Sequence, residues 1–147
     1  MNTTEISEEI NVKYIDERAK NISKYSDKLR NAMIDIDKAF TPALENAGIS
    51  FVDSEDIHSY NDTHGKISYR LKIVEVGDNW GIFVRRDVPW ETEYEHLSFD
   101  SVKRVVLKSA AKRILTFLQA YGKYLREVEK EYQEISEKTE KMAIAVL

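Results

Sequence analysis

The sequence of 147 residues contains no cysteine. Disulfide bonds, thiolate nucleophiles and zinc sites built on cysteine are therefore excluded, and we expect a reducing compartment, the cytoplasm. Glycine and proline are also scarce, with five and two residues respectively. Because these residues favour turns and interrupt helices and strands, their scarcity predicts few loops and long regular elements.

Long apolar runs and a strong charge of one sign are missing too. No stretch of about 18 apolar residues occurs, so we expect no membrane-spanning helix. Charged residues make up 33% of the chain, yet the formal net charge is only −4. This balance argues against a generic nucleic-acid coat and against an acidic mimic of DNA. The chain length favours a single domain over residues 1–147.

Seven-residue apolar repeats are present at both ends of the chain, over residues 4–47 and from about residue 98 to about residue 143. In the first segment the two series are Ile15, Ile22, Leu29, Ile36, Ala43 and Val12, Ala19, Ser26, Met33, Phe40, Ala47. Such repeats are typical of helices that pair along a narrow seam. We expect caps at Thr3 or Thr4 and at Ser98 or Asp100. Thr41-Pro42 predicts either a kink or an end and restart of the first helix.

The middle segment changes to a period of two residues. Ile67, Tyr69, Leu71 and Ile73 alternate with polar residues, and a turn signal follows at Gly77-Asp78-Asn79. This pattern predicts a hairpin of residues 66–76 and 79–86, with a third short strand near Phe51. The predicted fold class is α+β, in which two long helices form an antiparallel coiled-coil hairpin. A small three-stranded antiparallel sheet, about residues 49–87, lies between them.

The width of the apolar face changes along the second helix. From residue 102 to 118 apolar residues cover more than half of the circumference, whereas after residue 121 only a narrow stripe remains. A wide apolar face must be buried on more than one side, while a narrow stripe serves one partner helix. We therefore predict a head of residues 29–120 and a stalk formed by residues 5–28 and 121–146.

The segment 53–64 is the best candidate for a metal site, because it contains Asp53, Asp56, His58 and His64. Its spacing matches no established ligand pattern, and these residue types also favour turns. We therefore interpret the segment as a polar loop. His96 beside Glu95 resembles a general base, but no motif places a nucleophile near it. We predict no catalytic residue, no metal and no cofactor.

Basic residues concentrate in the middle of the chain and at the start of the second helix. The candidates for binding an anionic partner are Arg70, Lys72, Arg85, Arg86, Arg104, Lys108 and Lys112. They are consistent with a surface for phosphates or for an acidic protein. They are equally consistent with ion pairs across the helical hairpin, which is the interpretation we favour.

The predicted function follows from the helical seam rather than from a catalytic motif. The seam residues singled out for interaction are Ile15, Ile22, Leu29, Leu118, Tyr121, Leu125, Val128, Tyr132 and Ile135. Exposed apolar stripes mark interaction surfaces. We expect a non-enzymatic interaction module, an adaptor or inhibitor of a larger macromolecule, that forms a homo-oligomer, with a dimer as the first hypothesis. Small size and the lack of a familiar motif suggest a viral or mobile-element origin.

Two alternatives stay open at this point. One is a nucleic-acid-associated protein that uses the basic residues, although we favour a protein as the macromolecular partner. The other is a metal-dependent enzyme built on residues 53–64. The repeats also leave open whether the long helices pair within one chain or between chains.

Overall fold

The computed structural model describes residues 11–147. Two long helices flank five strands. In chain order the elements are α1 (Val12–Ala47), β1 (Phe51–Val52), β2 (His58–Asp62), β3 (Gly65–Val76), β4 (Asn79–Asp87), β5 (Glu95–Leu97) and α2 (Arg104–Val146). The α+β class and the antiparallel sheet between two long helices are confirmed.

Helix α1 is continuous from Val12 to Ala47, so Pro42 does not end it. The side chain of Asn11 caps its first turn by accepting from the backbone N–H of Tyr14 at 2.8 Å. Gly48 ends the helix in the left-handed conformation, with φ of 61°, as its position after the repeat predicts. The predicted caps Thr3 and Thr4, and residues 5–10 of the predicted stalk, lie outside the described residues.

Strand β3 is the centre of the sheet. β1 and β2 pair one after the other with the same edge of β3, while β4 pairs with its other edge and β5 pairs with β4. The predicted hairpin is confirmed, and Gly77 supplies the positive φ that its tight turn needs. Three predicted strands were too few, because β2 lies within the predicted polar loop and β5 within the segment 88–97. β2 is extended because it pairs with β3, and β5 is extended because it pairs with β4.

One face of the sheet is buried against the helices. Ile67, Leu71 and Ile73 of β3 and Val84 of β4 join one core with Phe117 of α2. Met33 and Leu44 are the fully buried residues that α1 contributes. Most of the wide apolar face predicted for residues 102–118 is therefore used against the sheet and α1, whereas Val105 and Leu115 are 50% and 67% exposed. Helix α2 begins at Arg104 with Lys103 as its cap residue, later than the predicted caps Ser98 and Asp100.

The two helices run in the same direction, so the predicted antiparallel hairpin within the chain is wrong. Near the start of α2, Arg104 donates to the Ser23 hydroxyl at 3.0 Å. Further along, Phe40 of α1 and Leu118 of α2 line one apolar cavity of about 450 Å³. Residue numbers in α1 and α2 therefore increase in the same direction where the two helices pack together. The physical reason is that α2 starts beside the middle of α1 after the chain has crossed the sheet.

Parallel packing with an offset leaves the two helices projecting at opposite ends. We call residues 12–22 of α1 the N-terminal extension and residues 129–146 of α2 the C-terminal extension, because every residue in both ranges is exposed. At 1.5 Å per residue the two extensions are about 16 and 27 Å long. Residues 5–28 and 121–146 therefore do not form one stalk within the chain.

The open edge of β4 beyond β5 is closed by α1. The Asp37 carboxylate accepts from the backbone N–H of Ile82 at 2.7 Å. A Cβ at Gly81 would lie 3.1 Å from the Asp37 Oδ1 atom, so the absence of a side chain at Gly81 permits this approach. Burial raises the pKa of Asp37, and the Ile82 N–H opposes that effect. The contact thus links α1 to β4, and it leaves the Asp37 charge partly buried, which is unfavourable.

Two substitutions separate the hydrogen bond of Asp37 from its charge. Asp37→Ala leaves the Ile82 N–H without its acceptor, so we expect the free energy of unfolding to fall by about 1–3 kcal/mol. Asp37→Asn keeps an acceptor oxygen and removes the buried charge, so we expect equal or higher stability at pH 7. Urea denaturation of both variants measures this, and equal losses in the two would contradict the assignment.

Candidate functional site

The predicted seam residues divide into an inner group and an outer group. Tyr121 is buried, and Leu29, Leu118, Leu125 and Val128 are half-buried against the body of the protein. The outer group lies on the two extensions, and its exposed fractions are 57% for Ile15, 60% for Ile22, 68% for Tyr132 and 54% for Ile135. The structure therefore uses the inner half of each repeat within the chain and presents the outer half to solvent.

The C-terminal extension is a single helix with an apolar stripe and no core of its own. Met142 and Val146 continue the stripe at the predicted spacing and are 68% and 79% exposed. Only the first turns of the extension approach the body, where Tyr132 and Ile135 line a cavity beside Ile49. A helix of about 18 residues with so little burial gains little beyond its intrinsic propensity, which is marginal in water. An exposed stripe of this length is typical of a surface that packs against another helix.

The two extensions differ in charge. The N-terminal extension contains three basic and two acidic side chains, whereas the C-terminal extension contains three basic and five acidic ones. Within α1, Lys20 pairs with Asp16 one turn away at 3.0 Å, and Arg18 contacts Glu17 at 3.5 Å. These exposed pairs contribute little to stability. The extensions therefore carry opposite net charge beside similar apolar stripes.

The seven basic candidates are distributed over three surfaces. Arg70, Lys72 and Arg85 lie on the solvent face of the sheet, and Arg86 lies on the opposite face because strand residues alternate. Arg104, Lys108 and Lys112 belong to α2. Acidic residues accompany several of them: Arg70 bonds Asp56 at 2.7 Å, and Arg85 bonds Asp87 at 3.0 Å. These contacts reduce the positive charge that the sheet presents.

Aromatic side chains pack against the basic residues on the solvent face of the sheet. The guanidinium carbon of Arg85 lies 4.1 Å from the centre of the Tyr94 ring. His96 is half-buried on β5 against Phe83, with ring centres 6.4 Å apart. Burial, followed by the positive charges of Lys72 and Arg85, lowers the pKa of His96. This histidine is part of the sheet surface.

A cavity of about 310 Å³ opens beside Arg86 at the end of the sheet where α2 begins. Tyr60, Tyr69 and Glu95 all contact or flank the guanidinium, and Glu95 accepts from it at 3.2 Å. Burial raises the pKa of Tyr69. The Arg86 guanidinium donates to the Tyr60 hydroxyl, and this contact raises the pKa of Arg86. The charged group in this cavity therefore already has partners within the fold.

The segment 53–64 serves as a connection between the sheet edge and α2. Asp53 is buried and accepts two hydrogen bonds from the Arg113 guanidinium, at 2.8 and 2.9 Å. Asp56 pairs with Arg70 and with Lys66. Within residues 11–147, no three histidine or carboxylate side chains are grouped in a way that would hold a metal ion. Asp53 and Asp56 are thus engaged by basic side chains, while Asp62 accepts from Thr63.

Two anchoring residues, Arg113 and Asp37, were missed by sequence reasoning. The Asp53–Arg113 contact joins positions 60 residues apart, and Asp37 contacts a strand 45 residues later. Neither contact leaves a local pattern, because the residue types alone fit an exposed helix face equally well. Between β4 and β5, Trp90 and Tyr94 are 48% and 56% exposed, while Val88 and Phe99 are buried.

Comparisons with protein-family models, with curated proteins and with solved structures found no match for this chain. Among the described residues, none of the helices has a stretch that is both long and apolar enough to cross a lipid bilayer. The functional argument therefore depends on the geometry of the chain itself.

Removal of Arg113 tests the anchoring of the sheet edge. Arg113→Ala leaves the buried Asp53 carboxylate without its cation, and we expect the free energy of unfolding to fall by about 1–3 kcal/mol. This lies below the range for a fully buried pair because Arg113 is partly open to solvent. Adding Asp53→Asn should recover part of the loss in denaturant unfolding. If the double variant instead loses as much stability as the two single variants added together, the pairing is contradicted.

The lowered pKa of His96 predicts a dependence of stability on pH. Since the unfolded chain takes up the proton near the ordinary pKa of about 6.5, the stabilisation is present above that pH. It is lost as the pH falls from about 6.5 through the lower folded-state pKa. We expect His96→Gln to reduce the decrease in unfolding midpoint between pH 7.5 and pH 5. An unchanged decrease, measured by thermal circular dichroism, would contradict this account.

Proposed function

We propose that this chain is a non-enzymatic protein-interaction module that self-associates through its long helices and engages a larger macromolecular partner. The observation that carries the proposal is the exposed apolar stripe on each helical extension. The outer seam residues continue the same repeat that packs α1 against α2 inside the chain. A second helix therefore meets a surface of the type already used in the fold.

A protein partner fits the charge distribution better than a nucleic acid. The basic candidates are divided among three surfaces, and Arg70, Arg85 and Arg86 each contact an acidic side chain. Binding to a phosphate backbone depends on several free cations along one track. An apolar stripe flanked by charged residues is instead the feature that recognises another amphipathic helix. We thus assign the interaction to helix packing.

Ile135→Asp tests self-association. Ile135 is 54% exposed in the single chain, so we expect the variant to fold with unchanged helicity. We expect dimerisation to weaken by about 100-fold or more, because burying an unpaired carboxylate in an apolar seam costs on the order of 3 kcal/mol. Light scattering over a concentration series measures the change in mass.

Gln133→Asp is the matched control. It adds the same charge two residues away, on an exposed position outside the stripe. We expect this variant to associate like the wild-type protein. A wild-type chain that is monomeric at every concentration would contradict self-association, and equal effects of the two substitutions would contradict the stripe as its cause.

A further inference from the structure

The geometry points to a reciprocal pairing, which we propose as the mode of self-association: the N-terminal extension of one copy packs antiparallel against the C-terminal extension of a second copy. This inference rests on the proposed function and deepens it by naming the two surfaces that meet. It differs from the antiparallel hairpin expected from the sequence, because the pairing joins two chains.

Within one chain the two extensions cannot meet. They leave the body at opposite ends, since α1 and α2 run in the same direction and Ser23 lies beside Arg104. Each extension nevertheless carries the continuation of a seam that is paired inside the body. A second copy, inverted by a two-fold axis perpendicular to the helices, brings its C-terminal extension beside the N-terminal extension of the first. The same operation makes the equivalent contact at the other end.

Charge supports pairing between unlike extensions. The N-terminal extension has an excess of one basic side chain, and the C-terminal extension has an excess of two acidic ones. Two C-terminal extensions together would place like charges along one seam, as would two N-terminal extensions. Unlike pairing therefore has the favourable electrostatics, which set orientation and partner choice in helix pairs.

Antiparallel direction follows from closure and from the helix dipoles. An antiparallel contact repeats under the two-fold axis and gives a closed dimer in which all four extensions are covered. A parallel contact would place copies head to tail and leave an uncovered extension at each end of an open chain. Antiparallel packing also places the positive end of α1 near the negative end of α2.

The register follows from the two apolar series of the seven-residue repeat. In each layer of the seam, a residue of one series on one helix lies opposite a residue of the other series on the partner helix. This register places Ala19 opposite Ile135 and Ile22 opposite Tyr132 of the other copy, with Val12 opposite Met142 at the tip. The small Ala19 thus faces the larger Ile135 in the middle of the contact. All of these side chains are exposed in the single chain, so they are free to be covered.

Cysteine trapping in the full-length chain tests the arrangement without background, because the protein has no native cysteine. Single variants Ala19→Cys, Val12→Cys, Ile135→Cys and Met142→Cys are mixed in pairs and oxidised. We expect disulfide-linked dimers from Ala19→Cys with Ile135→Cys and from Val12→Cys with Met142→Cys. The crossed mixtures should give little product, since positions seven residues apart lie about 10 Å apart along a helix. Glu17→Cys with Glu137→Cys, at the same level of the seam but on the outward faces, is the matched control and should stay unlinked.

The outcomes separate this inference from the proposed function. Linkage of Ile135→Cys or Ala19→Cys with itself, in a protein that light scattering shows to be dimeric, would overturn the unlike pairing and leave self-association in place. A dimer in which neither expected mixture links would have the same consequence. A protein that is monomeric in light scattering and gives no linked product would overturn both.

Discussion

The packing of residues 104–121 of α2 against the apolar face of the sheet is the contact on which the fold depends. A small antiparallel sheet with one apolar face is not stable alone, and this helix supplies the surface that covers it. Phe51 packs against the same helix, and its ring centre lies 5.7 Å from that of Phe117 and 5.6 Å from that of Tyr121. The Tyr121 hydroxyl also donates to the Ile49 carbonyl. The sheet, its first strand and the helix thus share one core.

That contact determines where the helices go. Because the apolar face of α2 must begin over the sheet, its first residues lie beside the middle of α1, and the rest of α2 continues past Gly48. Asp37 and Met33 hold α1 to the same body. The exposed extensions are therefore a direct result of two helices that are both longer than the core they cover. Their apolar stripes are what the proposed association uses.

Local patterns in the sequence were sufficient for much of the fold. The alternation from Ile67 to Ile73, the turn at Gly77 and the helix end at Gly48 each depend on residues close together in the chain. The direction of the helices was not accessible in this way, because a seven-residue repeat defines which face is apolar but not which way a partner runs. β2 and β5 were missed for a related reason, since a neighbouring strand specifies them. The seam residues of the candidate site follow from the repeat alone, while their division into inner and outer groups depends on tertiary packing.

The outer strands of the sheet are short, with two residues in β1, five in β2 and three in β5. α1 closes the remaining edge of β4 through Asp37. Short edge strands present few free backbone amides and carbonyls, so a strand from another molecule would have few groups with which to pair. The sheet is thereby protected from amyloid-like stacking, and intermolecular contact is left to side chains that can discriminate between partners.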